Sequence, residues 1–149
     1  MCIRDSSATF DTNVLGTLLG MKYELRAMLP KKRGAIVNVS STYGHRGAGG
    51  ASVYTASKHT VEGLTRSAAL EVAASGVRVN AVAPGPTDTA MIDRFAGNAE
   101  RKAGLVSGVP MRCMGTADEV ARPVLFLASD AAAFVTGTVL SVDGGKGAG

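Results

Sequence analysis

A layered α/β fold built around a parallel sheet is what this chain predicts, and two observations carry the prediction. Amphipathic helical patterns alternate with short apolar runs in the order helix, strand, helix, strand, and that alternation implies crossover connections between parallel strands. The first apolar run, Ala35 to Ser40, is apolar at nearly every position, as expected of a central strand covered on both faces.

At 149 residues the chain suits one domain with a sizeable core. Its 46% apolar and 19% charged residues exclude disorder. No apolar run is long enough to span a membrane, and the N-terminus lacks the basic, apolar, small order of a signal peptide. A soluble, cytoplasmic protein is therefore expected, with no membrane partner. Cys2, Cys113, His45 and His59 are spaced as neither metal ligands nor disulfide partners, so no metal site is expected. The net charge of +4 comes from scattered cations. The one cluster, Lys31 to Arg33, sits where a helix end favours positive charge. Without interleaved aromatics it gives no reason to expect a nucleic-acid partner.

Residues 1–7 carry no hydrophobic period and read as an unrelated tail. From Phe10, the apolar positions Val14, Leu18, Met21, Leu25 and Met28 recur at three- and four-residue steps and predict a helix ending near Pro30. The strand Ala35–Ser40 follows, then a loop from Thr42 to Ala51. Its glycines fit neither dinucleotide nor P-loop spacing, so it reads as a turn. A second helix runs from about Val53 to Ala74, burying Val61, Leu64 and Ala68 and stopped by Gly76. The strand Val77–Ala83 is cut off by Pro84-Gly85-Pro86.

Thr87 to Pro110 is the least periodic segment. Placed after the carboxyl end of a strand, it is expected to border the ligand crevice as a lid with one or two short helices. Thr116 to Glu119 has the form of a capping box and opens a helix through Ala128, in which Pro123 is expected to produce a kink or an early 3₁₀ turn. Gly137–Val142 closes the sheet as an edge-ward strand. Three helices and three strands make a lopsided sheet, so the chain looks like the second half of a doubly wound domain.

The chemistry concentrates between Ser40 and Lys58. Tyr54 and Lys58 stand four apart on one helix face, where a phenol and an ammonium are neighbours. A phenol titrates near 10, and bringing it to about 7 takes roughly 4 kcal/mol of differential interaction. An adjacent cation in a partly dehydrated cleft works in that direction. Ser41, at the strand end, is placed to hydrogen-bond an oxygen whose charge changes during reaction. Ser40 reads as a satisfied strand-end hydroxyl.

Five stretches fall in a familiar order: Asn13-Val14-Leu15-Gly16, Ile36 to Ser41, Tyr54 to Lys58, Asn80 to Gly85 with Thr89, and Val142-Asp143-Gly144-Gly145. In these the chain resembles the carboxyl-terminal part of a short-chain dehydrogenase/reductase, near the glucose 1-dehydrogenase-like and 3-oxoacyl-carrier-protein-reductase-like members. The resemblance implies the C-terminal half of a doubly wound Rossmann-type parallel sheet, a three-layer α/β/α arrangement over residues 8–149, with the N-terminal half and its glycine-rich phosphate turn missing. It implies hydride transfer between NAD or NADP and a secondary alcohol or ketone. Tyr54 would be the proton donor and acceptor. Lys58 would lower its pKa and bind the nicotinamide ribose, Ser41 would orient the substrate oxygen, and Asn13 would hold a water in a proton relay. Pro84, Gly85, Thr87 and Thr89, with Tyr54 and Lys58, would line the cofactor site. A homotetramer or dimer is implied as well. The alternative is a noncatalytic fragment or oligomerisation partner lacking the dinucleotide-binding half.

Overall fold

The computed structural model describes residues 6–148. It opens with α1 (Ser6–Phe10), passes through a π-helical turn at Asp11–Leu15 and continues as α2 (Gly16–Met28), closed by a 3₁₀ turn at Leu29–Lys31. Helix therefore begins four residues before Phe10. The tail expected over residues 1–7 lies outside the described residues, apart from Ser6 and Ser7, which are helical. A π turn bonds i to i+5 and so inserts a residue into the helical register. Of the apolar face read from the sequence, only Met21 is fully buried, while Leu18 is 44% exposed and Leu25 and Met28 pack at the margin of the core.

The remaining elements are β1 (Gly34–Val39), α3 (Ser52–Val72), β2 (Val77–Pro84), α4 (Ala90–Ala96), α5 (Ala99–Ser107), α6 (Ala117–Ala128) and β3 (Val139–Val142). The sheet runs β1-β2-β3, all parallel, with Ile36 beside Val79 and Val82 beside Leu140. The central, doubly covered strand is β2, in which Val79 to Ala83 are all 0% exposed. β1, expected to be central and covered on both faces, is packed on both, by Ile36 on one side and Val37 on the other; among the described residues it pairs with β2 alone, and its Val39 is 54% exposed. Apolar content marks a strand as burial-prone but does not say how many neighbours it has.

Because strand side chains alternate between faces, the sheet separates two cores. On one face Met21 from α2 and Ala68, Ala69 and Val72 from α3 enclose Ile36, Val77 and Val79. On the other, Leu127 and Val124 of α6 cover Val82, Val37 and Leu140. The result is a three-layer α/β/α arrangement. α3 passes into a 3₁₀ turn at Ala73–Ser75, which Gly76 ends in the left-handed region at φ 77°, the stop its position predicts. The capping box is present: Glu119 N–H donates to Thr116 Oγ at 3.2 Å, and Thr116 N–H donates to the Glu119 carboxylate at 2.7 Å. From that start α6 runs as one helix through Pro123 to Ala128. Two short helices, α4 and α5, follow the carboxyl end of β2, the number expected for this segment. Lys102 of α5 ties them down by pairing with Asp88 at 2.8 Å and Asp93 at 2.7 Å.

Candidate active site

The carboxyl ends of β1 and β2 open onto the same edge of the sheet, the position where parallel α/β sheets bind ligands. Leaving β1, the chain is extended at Ser41 (φ −166°, ψ 161°) and enters a 3₁₀ turn at Thr42–Gly44. The Ser41 hydroxyl accepts from Tyr43 N–H at 3.2 Å, which fixes the turn and leaves Ser41 half-buried beside the start of α3. Tyr54 lies in the first turn of α3 and is 37% exposed. Its ring meets Tyr43 edge-on, with centroids 6.4 Å apart. Lys58 Nζ stands 5.7 Å from the Tyr54 ring centroid and donates to the Val39 carbonyl at 2.9 Å. Ser41, Tyr54 and Lys58 are thus brought together by one strand end and one helix.

The electrostatics of this trio differ from the expectation. Burial pushes the Tyr54 phenol up from its ordinary value; the Ser41 hydroxyl pulls the other way, and the neighbouring Tyr43 adds to the rise. Burial also pushes the Lys58 ammonium down. The anticipated lowering of the phenol by Lys58 is not found in the chain alone, because desolvation of the anionic phenolate is the larger effect and the ammonium is turned to the Val39 carbonyl.

Asn13 lies in the π turn, a distortion that recurs at functional sites. Its amide Nδ2 donates to Ser57 Oγ at 3.0 Å, and Ser57 Oγ donates in turn to the Tyr54 carbonyl at 2.7 Å. The Asn13 carbonyl accepts from Thr17 Oγ1 at 2.8 Å. The residue therefore reaches α3 one position before Lys58, through fully buried Ser57.

The expected cofactor residues follow β2. Thr42 Oγ1 donates to the Pro84 carbonyl at 3.1 Å, so the two strand ends are stitched together. Gly85 N–H donates to the Val142 carbonyl at 3.0 Å. A Cβ at Gly85 would lie 2.8 Å from both Cα and Cβ of Asp143, so glycine is required here by close approach of the chain after β3. Thr87 Oγ1 donates to the Gly85 carbonyl at 3.0 Å, and Thr89 is exposed at the start of α4. Ser41, Tyr54, Lys58, Thr87 and Thr89 offer hydroxyls and an ammonium with no carboxylate among them. Two of the three ammonium protons of Lys58 remain beyond its bond to Val39. That donor set fits a ligand rich in hydroxyl and phosphate oxygens.

Beside the trio, a cleft of about 220 Å³ is lined by Thr42, Tyr43, Arg46, Gly47, Gly108 and Lys146. Lys146 Nζ sits 5.4 Å from the Tyr43 ring centroid, and Arg46 donates to the Lys146 carbonyl. Sequence reading missed this rim, and it also missed Glu62, a carboxylate only 1% exposed on α3. Among the described residues no group of His, Cys, Asp or Glu is arranged to hold a metal. No described helix is long and apolar enough to cross a membrane.

Comparison with known proteins adds the lineage. A family model described as enoyl-(acyl carrier protein) reductase matches residues 3–146. The chain is 46% identical over 135 residues to cis-4-hydroxycyclohexanecarboxylate dehydrogenase of Sinomonas cyclohexanicum, covering 91% of this chain and 53% of the relative. To 3-oxoacyl-[acyl-carrier-protein] reductase FabG of Escherichia coli it is 40% identical over 135 residues, with 91% and 54% covered. Among solved structures, that described as ElxO with NADP bound superposes with a TM-score of 0.93 at 39% identity, over 100% of this chain and 60% of that one. The chain spans about half the length of the curated relatives it matches.

Proposed function

Because the chain belongs to the short-chain dehydrogenase/reductase family, we propose that it carries the proton-transfer part of an oxidoreductase site that interconverts a secondary alcohol and a ketone. The observation that carries the proposal is the convergence of Ser41, Tyr54 and Lys58 at the carboxyl edge of the sheet. NAD or NADP, the latter bound in the related ElxO structure, would be held by Tyr54, Lys58, Pro84, Gly85, Thr87 and Thr89. When bound, it supplies or accepts the hydride.

The chain's own residues handle the proton. In the reducing direction, the Tyr54 hydroxyl gives its proton to the substrate oxygen; in the oxidising direction, the phenolate takes it back. A phenol pushed up by burial stays protonated at neutral pH, which suits donation to a carbonyl. Ser41 hydrogen-bonds the same substrate oxygen and steadies the charge that grows there. Lys58 places a positive charge beside the phenol and offers its free protons to ribose hydroxyls. Asn13, in the π turn, holds α3 through Ser57 and so supports both groups, with a water-mediated relay from Lys58 as its further role.

A second reading rests on a different observation. Leu15, Leu18 and Leu19 are 45%, 44% and 40% exposed along the first helix, and Val39 is exposed on β1, which pairs on one side only among the described residues. These surfaces favour association, so the chain would act as an oligomerisation partner without chemistry of its own. Titration of the purified chain with NADPH and NADH, followed by cofactor fluorescence, separates the readings. Saturable binding weakened at least tenfold by Lys58→Ala supports the oxidoreductase site. Absence of binding, together with concentration-dependent oligomerisation, supports the second.

A further inference from the structure

We propose that Glu62 is a positioning residue that clamps Ser41 against Tyr54, by gripping the chain on both sides of Ser41 from the helix that carries the phenol. The inference rests on the assignment of Ser41 and Tyr54 to one proton-transfer site. Tyr54, Lys58 and Glu62 recur every four residues along α3, but Glu62 is turned inward and is 1% exposed. Three donors converge on its carboxylate. Ser40 Oγ at 3.0 Å and His45 Nδ1 at 2.9 Å both meet Oε1, and Arg66 meets Oε2 at 2.9 Å.

The placement of these donors is what gives the carboxylate a role. Ser40 immediately precedes Ser41, and His45 closes the 3₁₀ turn that Ser41 caps. One carboxylate thus ties the end of β1 and the end of the following turn to α3. The turn is also packed onto it: a Cβ at Gly44 would drive into both Glu62 Oε1 and Ser40 Oγ. A buried carboxylate is costly unless its oxygens are well donated to. Here that requirement forces Ser40 and His45 to stay on α3, and Ser41 is carried with them. Arg66, on the next turn of α3, neutralises the carboxylate without reaching the active-site edge.

The test follows the Tyr54 hydroxyl directly. The chain holds three tyrosines, so ¹³C-tyrosine labelling gives three titrating signals, with that of Tyr54 identified by its loss in Tyr54→Phe. The Ser41 hydroxyl beside Tyr54 favours the phenolate, so Ser41→Ala should raise the Tyr54 midpoint by about 0.5–1 pH unit. Glu62→Ala should raise it by a similar amount, and the double variant no further than Ser41→Ala alone. Glu62→Gln, whose amide oxygen can still accept from Ser40 and His45, should restore most of the wild-type midpoint. If Glu62→Ala does not fold, Ser40→Ala takes its place. It removes one tether without leaving a buried charge unpaired and should move the midpoint upward in the same non-additive way.

A Tyr54 midpoint that moves in Ser41→Ala but not in Glu62→Ala or Ser40→Ala overturns the clamp and leaves the Ser41–Tyr54 assignment standing. Full additivity with Ser41→Ala overturns it too, since the carboxylate would then act by another route. If Ser41→Ala itself leaves the midpoint unmoved, the Ser41–Tyr54 contact fails, and the clamp fails with it.

Discussion

Replacing Gly85 by alanine separates two reasons for a glycine beside a cofactor site, room for a ligand and room for the protein's own chain. The structure favours the second. An added Cβ would lie 2.8 Å from Asp143 Cα and Cβ and 3.0 Å from its carbonyl oxygen, whereas carbon atoms in good contact stand about 3.5–4.0 Å apart. Much of that contact is with backbone, so relief requires the ends of β2 and β3 to separate. Separation strains the Gly85 N–H bond to the Val142 carbonyl. Overpacking of about 1–3 kcal/mol and a weakened hydrogen bond of about 0.5–1.5 kcal/mol together give a loss of about 1.5–4.5 kcal/mol. Gly63 supplies the control, since it is an exposed position within α3 with nothing within 4 Å of its added Cβ. Gly63→Ala should stabilise by about 0.5–1 kcal/mol. Urea unfolding of both variants in the absence of cofactor measures the difference. Gly85→Ala within about 0.5 kcal/mol of wild type would refute the packing argument and return the glycine to the ligand.

Further outcomes follow from named groups. The folded phenol of Tyr54 titrates above its unfolded value of 10.0, so its contribution to stability is complete below pH 10 and is lost as pH rises through the folded value. Thermal melts in alkaline buffers should show a decline that is shallower in Tyr54→Phe, and identical slopes in the two proteins would contradict the shift. In the oxidising direction, which needs the phenolate, rates should keep rising beyond pH 9, whereas carbonyl reduction should stay level there; stopped-flow profiles of the two directions make the comparison. Thr116→Ala removes the Thr116 side chain from the capping box of α6 and should cost about 1 kcal/mol, read as a lower urea midpoint with an unchanged slope.

How far the site could be read from sequence depends on the range of the interactions. Tyr54 and Lys58 are visible because helical spacing is local, and the stop at Gly76 and the box at Thr116–Glu119 are visible for the same reason. Glu62 was not, because a glutamate four residues beyond a lysine reads as a solvated helix face. Only the arrival of Ser40 and His45, 22 and 17 residues away in the chain, turns that position inward. Asn13 is reached from sequence only through the family resemblance, because its partner Ser57 is 44 residues distant. Leu18, Met21, Leu25 and Met28 keep helical spacing within α2, beyond the π turn, but periodicity does not say what covers a face, and of these only Met21 is fully buried. For β1, composition reveals the burial on both faces but does not count neighbours, of which the described residues supply one.

The central claim is that Tyr54 moves the proton, and the most direct measurement compares NADPH oxidation by the chain and by Tyr54→Phe over a panel of simple ketones. The phenylalanine keeps the ring that packs against Tyr43 and removes only the hydroxyl. Tyr54→Phe should lower kcat by about 10²–10⁴-fold while NADPH affinity stays within about threefold, a change of less than 1 kcal/mol. A variant that turns over at the wild-type rate, with cofactor binding intact, would contradict the claim.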